Sequence, residues 1–139
     1  MRIILDTNIL VSALRSRRGA SFALISKVPR REFQISLSVP LYIEYQDVLM
    51  RQGKVPGLTN EEIMKFLRYL CQVGHHQDIF YLWRPYLKDP TDDMILELAV
   101  ASKSEHIVTH NVRDFRGSER FGVKALRPQE MLKELEERK

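Results

Sequence analysis

Short apolar runs bounded by polar residues alternate along this chain with longer stretches whose apolar positions recur every three or four residues. The first run, Arg2-Ile3-Ile4-Leu5, stops sharply at Asp6 and reads as a strand buried on both faces. Ile9 to Leu14 continues as a helix that Arg15 to Gly19 breaks, and a second helical piece runs from Ala20 to Val28 before Pro29. Phe33-Gln34-Ile35-Ser36 alternates apolar and polar side chains, the period of a strand. Ser38 has the chemistry of an N-cap, with Val39 and Pro40 in the first turn of a helix expected to end near Arg51. Thr59 and Glu62 spell a capping box. Ile63, Phe66, Leu67 and Leu70 then form one helical face, and Gly74 closes it.

Beyond Gly74 the pattern predicts a weak strand across Asp78-Ile79-Phe80-Tyr81 and a loop from Trp83 to Thr91, which holds two prolines. Asp92-Asp93 opens a helix running to Ser102 that is apolar almost all round and should therefore be deeply packed. His106-Ile107-Val108-Thr109 and Val123-Lys124-Ala125-Leu126 are strands, and Pro128 starts a charged terminal helix that packs through Met131, Leu132 and Leu135. Strands alternating with helices argue for an α/β fold whose mainly parallel sheet is covered on both faces.

At 139 residues the chain is most simply one domain spanning residues 1–139. A domain of this size buries about two thirds of its unfolded surface, so it needs no covalent staple. The single Cys71 excludes an internal disulfide and a multi-cysteine zinc site, and its helical, apolar setting suits a small core residue. No run approaches the roughly 20 apolar residues of a membrane span, and Asp6 interrupts the first run before a signal peptide could form. A cytoplasmic protein is expected. Lys and Arg outnumber Asp and Glu by 22 to 18, a mild excess. It becomes more telling if a few acids gather to neutralise a cation, because the rest of the surface is then more positive and suits a polyanion.

Asp6 lies where open α/β sheets bind ligands, at the carboxyl end of a buried strand. Locally it could simply cap the next helix, but Thr7 and Asn8 could cap too, or orient Asp6 or a metal-bound water. At about 100° per residue, Leu41, Tyr45, Val48 and Leu49 form an apolar arc with Glu44 on its border and Asp47 further out. Asp92 and Asp93 both suit a helix N-terminus, and local reasoning does not choose between them. Glu97, one turn past Asp93, could support a site or sit at an exposed edge. Asp114 follows a strand and a short turn. Two acids after apolar strands and two on flanking helices can converge on one sheet edge without unusual topology. Like charges held together are costly unless they share protons or hold a cation, so a divalent metal site is the leading reading.

Four segments, Ile3-Ile4-Leu5-Asp6-Thr7-Asn8-Ile9-Leu10, Leu41-Tyr42-Ile43-Glu44-Tyr45, Asp89-Pro90-Thr91-Asp92-Asp93 and Ile107-Val108-Thr109-His110-Asn111-Val112-Arg113-Asp114-Phe115, resemble the PIN domain family in that order. The likeness is to bacterial PIN proteins that include the VapC-like toxin ribonucleases of toxin-antitoxin pairs. It implies a three-layer PIN-like fold and places the family's acidic quartet on Asp6, Glu44, Asp93 and Asp114. Asp93 is chosen over Asp92 by its spacing to Val108-Thr109. Many relatives carry an acid directly after that threonine, where this chain has His110-Asn111.

The resemblance implies a ribonuclease that cuts single-stranded RNA with Mg²⁺ or Mn²⁺, Asp6 and Asp93 binding the ion directly and Glu44 and Asp114 acting from outside. Thr7, Asn8, Thr109, Asn111 and Arg15 would orient the site or touch substrate. Arg17, Arg18, Lys27, Arg30 and Arg31 join Arg15 as possible phosphate contacts. A homodimer and a small antitoxin partner are implied in the same way. The alternatives are a housekeeping RNA-processing nuclease and a non-catalytic module that binds RNA or protein. A haloacid-dehalogenase-like phosphotransferase is disfavoured because Asn8 stands where that chemistry needs a second acid.

Overall fold

Five strands form one sheet in the order β3-β2-β1-β4-β5, and every neighbouring pair is parallel. A computed structural model of the chain describes residues 1–28, 32–79 and 86–138. The strands are β1 (Arg2–Leu5), β2 (Gln34–Leu37), β3 (His75–His76), β4 (His106–Val108) and β5 (Lys124–Leu126). Among the described residues six α-helices flank them: α1 (Thr7–Arg15), α2 (Ala20–Ser26), α3 (Val39–Leu49), α4 (Asn60–Val73), α5 (Pro90–Ala101) and α6 (Pro128–Glu137). The mainly parallel α/β sheet expected from the sequence is present.

β1 is central, and Ile3, Ile4 and Leu5 are all buried. Burying each such side chain is worth about 1.5–3 kcal/mol, which explains why a strand of four residues holds the middle of the sheet. Parallel connections are right-handed, so the links from β1 to β2 to β3 and the return to β4 through α5 cover opposite faces. α5 packs on β1, β2 and β4. Helices α1, α2, α3, α4 and α6 pack among themselves in the pairs α1 with α2, α1 with α3, α3 with α4 and α2 with α6.

Several boundaries match their chemical cause. Ser38 caps α3 by accepting from the Leu41 amide at 3.2 Å, and the Thr59–Glu62 capping box is closed in both directions. Gly74 ends α4 where an added Cβ would meet the Leu37 side chain at 2.9 Å. Two expectations need correction. The third strand is His75–His76, and Asp78 and Ile79 lie beyond it, because the Gln77 amide reaches the Leu37 carbonyl at 2.8 Å and fixes the pairing with β2 there. α5 starts at Pro90 rather than at Asp92, with Asp89 as its cap, so neither Asp92 nor Asp93 caps it. Cys71 is half-buried against the core. Among the described residues no helix is long and apolar enough to cross a membrane. Phe80 and Tyr81 of the expected strand, Trp83 to Pro85 of the expected loop, and Arg30 and Arg31 lie outside the described residues.

Candidate active site

Asp6 is buried at the end of β1, and its two carboxylate oxygens have separate tasks. Oδ1 accepts from the Thr7 amide at 2.7 Å and so caps α1. Oδ2 accepts from the Thr109 hydroxyl at 2.7 Å, with the Asn8 side-chain amide at 3.4 Å. The capping and site-building readings of Asp6 are thus both realised, one on each oxygen. Thr109 in turn accepts from the Asn111 amide at 3.0 Å, and the Asn8 carbonyl accepts from the His110 amide at 3.3 Å. Thr7, Asn8, Thr109 and Asn111 therefore form one hydrogen-bonded frame around Asp6. Burial pushes the Asp6 carboxyl above its ordinary range; the Thr109 and Thr7 bonds pull it back, and the charge of Asp114 adds to the rise.

The two α5 aspartates have different surroundings. Asp93 turns back on the preceding segment, where its Oδ1 accepts from the Leu87 amide at 2.7 Å and the Tyr86 amide at 3.2 Å. Asp92 is the acid that feels Asp6 and Asp114. Burial first, then the charges of Asp6, Asp89, Asp114 and Asp93, raise its carboxyl to about 7. Asp92 and Asp114 line a cavity of about 540 Å³ bordered by Lys88, Arg113 and Arg116. Glu97, for which an exposed edge was one expectation, is buried.

Asp114 lies on the exposed 3₁₀ turn Val112–Phe115, anchored by buried Phe115. Glu44 is half-buried on α3 and makes no hydrogen bond to a described residue. Its neighbour Tyr45 is buried and donates its hydroxyl to the Leu5 carbonyl, which pins α3 beside the strand end that carries Asp6. In the sequence Tyr45 stands in the apolar arc of α3; a buried tyrosine must find a polar partner, and that rule was the available clue to this contact. Arg15 ends α1 and is exposed.

Among the described residues, no three carboxylate, imidazole or thiol side chains stand close enough as oriented to cage an ion. The donor chemistry nonetheless fits Mg²⁺ or Mn²⁺. Mg²⁺ takes oxygen ligands, keeps several waters and needs only one or two direct carboxylates, so a full cage is not required. Three mutually repelling acids, Asp6, Asp92 and Asp114, together with the buried Thr7 hydroxyl that lacks a hydrogen-bond partner, leave unmet electrostatic demand at one sheet edge.

The family model for the PIN domain matches residues 2–113 of this chain. The chain belongs to the PIN domain family. A comparison with curated proteins returned no match. Among solved structures, this PIN domain is similar to a chain in the crystal structure of VapBC2 from Rickettsia felis bound to a DNA fragment from their promoter, with a TM-score of 0.62 and 17% identity over 91% of this chain and 98% of that one. It is also similar to a chain of VapBC-1 from nontypeable Haemophilus influenzae, with a TM-score of 0.61 and 17% identity over 93% and 99% of the two chains. At that identity the likeness establishes a shared three-layer fold.

Proposed function

We propose that this PIN domain is a Mg²⁺- or Mn²⁺-dependent endoribonuclease that cuts single-stranded RNA, acting in the cytoplasm as the toxin of a toxin-antitoxin pair. The observation that carries the reading is the electrostatic strain at the carboxyl end of β1, where a buried Asp6 faces the charges of Asp92 and Asp114. The matched family and the fold shared with VapBC structures support the assignment. A small antitoxin partner and a homodimer follow from the same resemblance.

Asp6 and Asp92 are the direct ligands in this reading, with Asp114 and Glu44 acting from outside. Asp93 was the ligand expected on α5, but its carboxylate accepts from the Tyr86 and Leu87 amides, so in this reading it positions the segment leading into Asp92. A bound ion would supply a water of lowered pKa and neutralise charge developing on the phosphate. The chain's own groups do the rest. Thr109 and Asn8 hold Asp6 in one orientation, and Lys88, Arg113 and Arg116 draw the RNA backbone toward the acids.

The test is cleavage of a mixed RNA pool with Mg²⁺ or Mn²⁺, with chelator, and by Asp6→Asn with the metal. Loss of a metal contact worth about 3 kcal/mol should slow cleavage about 100-fold, and equal cleavage in all three arms refutes the mechanism. RNA binding without cleavage by the unmodified protein would favour the non-catalytic module.

A further inference from the structure

A second cavity, of about 560 Å³, opens on the other side of Asn8, between α1 and the segment that follows α3. Its size falls within the roughly 300–1,000 Å³ usual for ligand pockets. Asn8 borders it and also donates to Asp6, so the cavity abuts the acid centre directly. Its lining is more cationic than that of the first cavity, where Lys88, Arg113 and Arg116 are mixed with Asp89, Asp92 and Asp114. Arg15, Arg51, Lys54 and His110 line it, and no acid does. Arg51 is paired with Asp47 at 2.9 Å, whereas Arg15 and Lys54 have no carboxylate partner among the described residues. Thr7 also borders this space.

We propose that a single RNA strand passing the acids continues into this cavity, and that Arg15 and Lys54 bind its phosphates there. The inference rests on the ribonuclease reading above and extends it to the path of the substrate. Cations without a carboxylate partner are the groups that phosphate oxygens satisfy. Among the described residues, the His110 imidazole is the one aromatic ring on the cavity wall, and Val11 and Val48 supply its apolar part. Contacts from Arg15 and Lys54 to phosphate position the RNA backbone without reading bases.

The experiment measures binding of short fluorescent single-stranded oligoribonucleotides of several sequences to the full chain, in chelator, across a salt series. Each phosphate contact on a single strand contributes about 0.7 to the slope of log affinity against log salt, so Arg15→Ala/Lys54→Ala should lower the slope by about 1.4, equally for every sequence. The control Arg68→Ala/Lys133→Ala removes the same charge from exposed positions on α4 and α6 and should keep the native slope. Matching melting temperatures for the two double variants separate a binding effect from a folding defect. If the unmodified protein cuts the RNA pool with Mn²⁺ and the Arg15/Lys54 variant keeps the native slope, the second cavity is not part of the RNA path and an acidic polypeptide becomes its better occupant. If the unmodified protein neither binds nor cuts RNA, the ribonuclease reading falls and this inference with it.

Discussion

Asp92→Asn in chelator-treated protein tests the crowding of charge on which the site depends. In the folded chain the Asp92 carboxyl lies at about 7, against an ordinary 3.8, with burial the first cause and the charges of Asp6, Asp89, Asp114 and Asp93 following. Between those values the folded protein holds a proton that the unfolded chain has released. The contribution of this group to stability is therefore complete below pH 3.8 and is lost as pH climbs through about 7. At about 1.4 kcal/mol per pH unit the ceiling is about 4 kcal/mol. Asp92 is only partly buried and water screens its neighbours, so we expect about 1–2 kcal/mol. For a domain of this length that is a difference of roughly 3–10 °C in Tm. Thermal melts by circular dichroism should show the Asn variant level with the native protein near pH 4 and more stable by that amount at pH 8. A difference that stays flat across the range, or an Asn variant less stable at pH 8, refutes the placement of Asp92 among the site acids.

Asp93→Ala should behave oppositely, because it strips the acceptor from the Tyr86 and Leu87 amides: Tm should fall at pH 8 by the equivalent of about 1–3 kcal/mol, and an unchanged melt would deny Asp93 its structural role. Thr109→Val keeps the volume but removes the hydroxyl that holds Asp6 and receives the Asn111 amide, so metal-dependent cleavage should drop about 10–100-fold, measured as the initial rate on the RNA pool. Native-like rates would show that Asp6 needs no second anchor. Mn²⁺ at about 100 times its dissociation constant should stabilise the native protein by about 2.7 kcal/mol, and Asp6→Asn should blunt that gain. An undiminished shift in the variant would place the ion elsewhere.

The parts of this fold that could be read in the sequence are those where local chemistry and burial agree. Ile3, Ile4 and Leu5 are apolar because both faces of β1 are covered, and the Thr59 capping box marks α4 without help from the rest of the chain. β3 could not be read that way. It is two histidines with no strand-like composition, and it exists because β2 offers Ser36 and Leu37 as partners. The choice between Asp92 and Asp93 was hidden for a related reason. Ile95, Leu96, Leu98 and Ala99 are all buried, so α5 has no polar face against which to measure the direction of an acid. Asp89 followed by Pro90 was the usable cue, since proline favours the first helical position. It moves the start of α5 back by two residues and makes both later acids side chains within the first turn.

Strand register explains why segments far apart in the chain meet at this sheet edge with so little added structure. Leu5 is paired with Val108, so the next residue on each strand, Asp6 and Thr109, must emerge side by side at the carboxyl edge of the sheet. The Asp6 amide still bonds the Val108 carbonyl at 2.9 Å, which carries the pairing one residue past β1 and sets the 2.7 Å contact between the two side chains. β1 and β4 are also where the strand order reverses, since the chain leaves β1 toward β2 on one side and returns to β4 on the other. Loops at such a switch point diverge to opposite faces and leave a crevice between them. Here α1 leaves on one side of that crevice and the turn carrying Asp114 on the other, while α5, arriving across the opposite face, delivers Asp92. The site thus follows from the topology of the sheet, and the acids need only occupy the positions where the chain already converges.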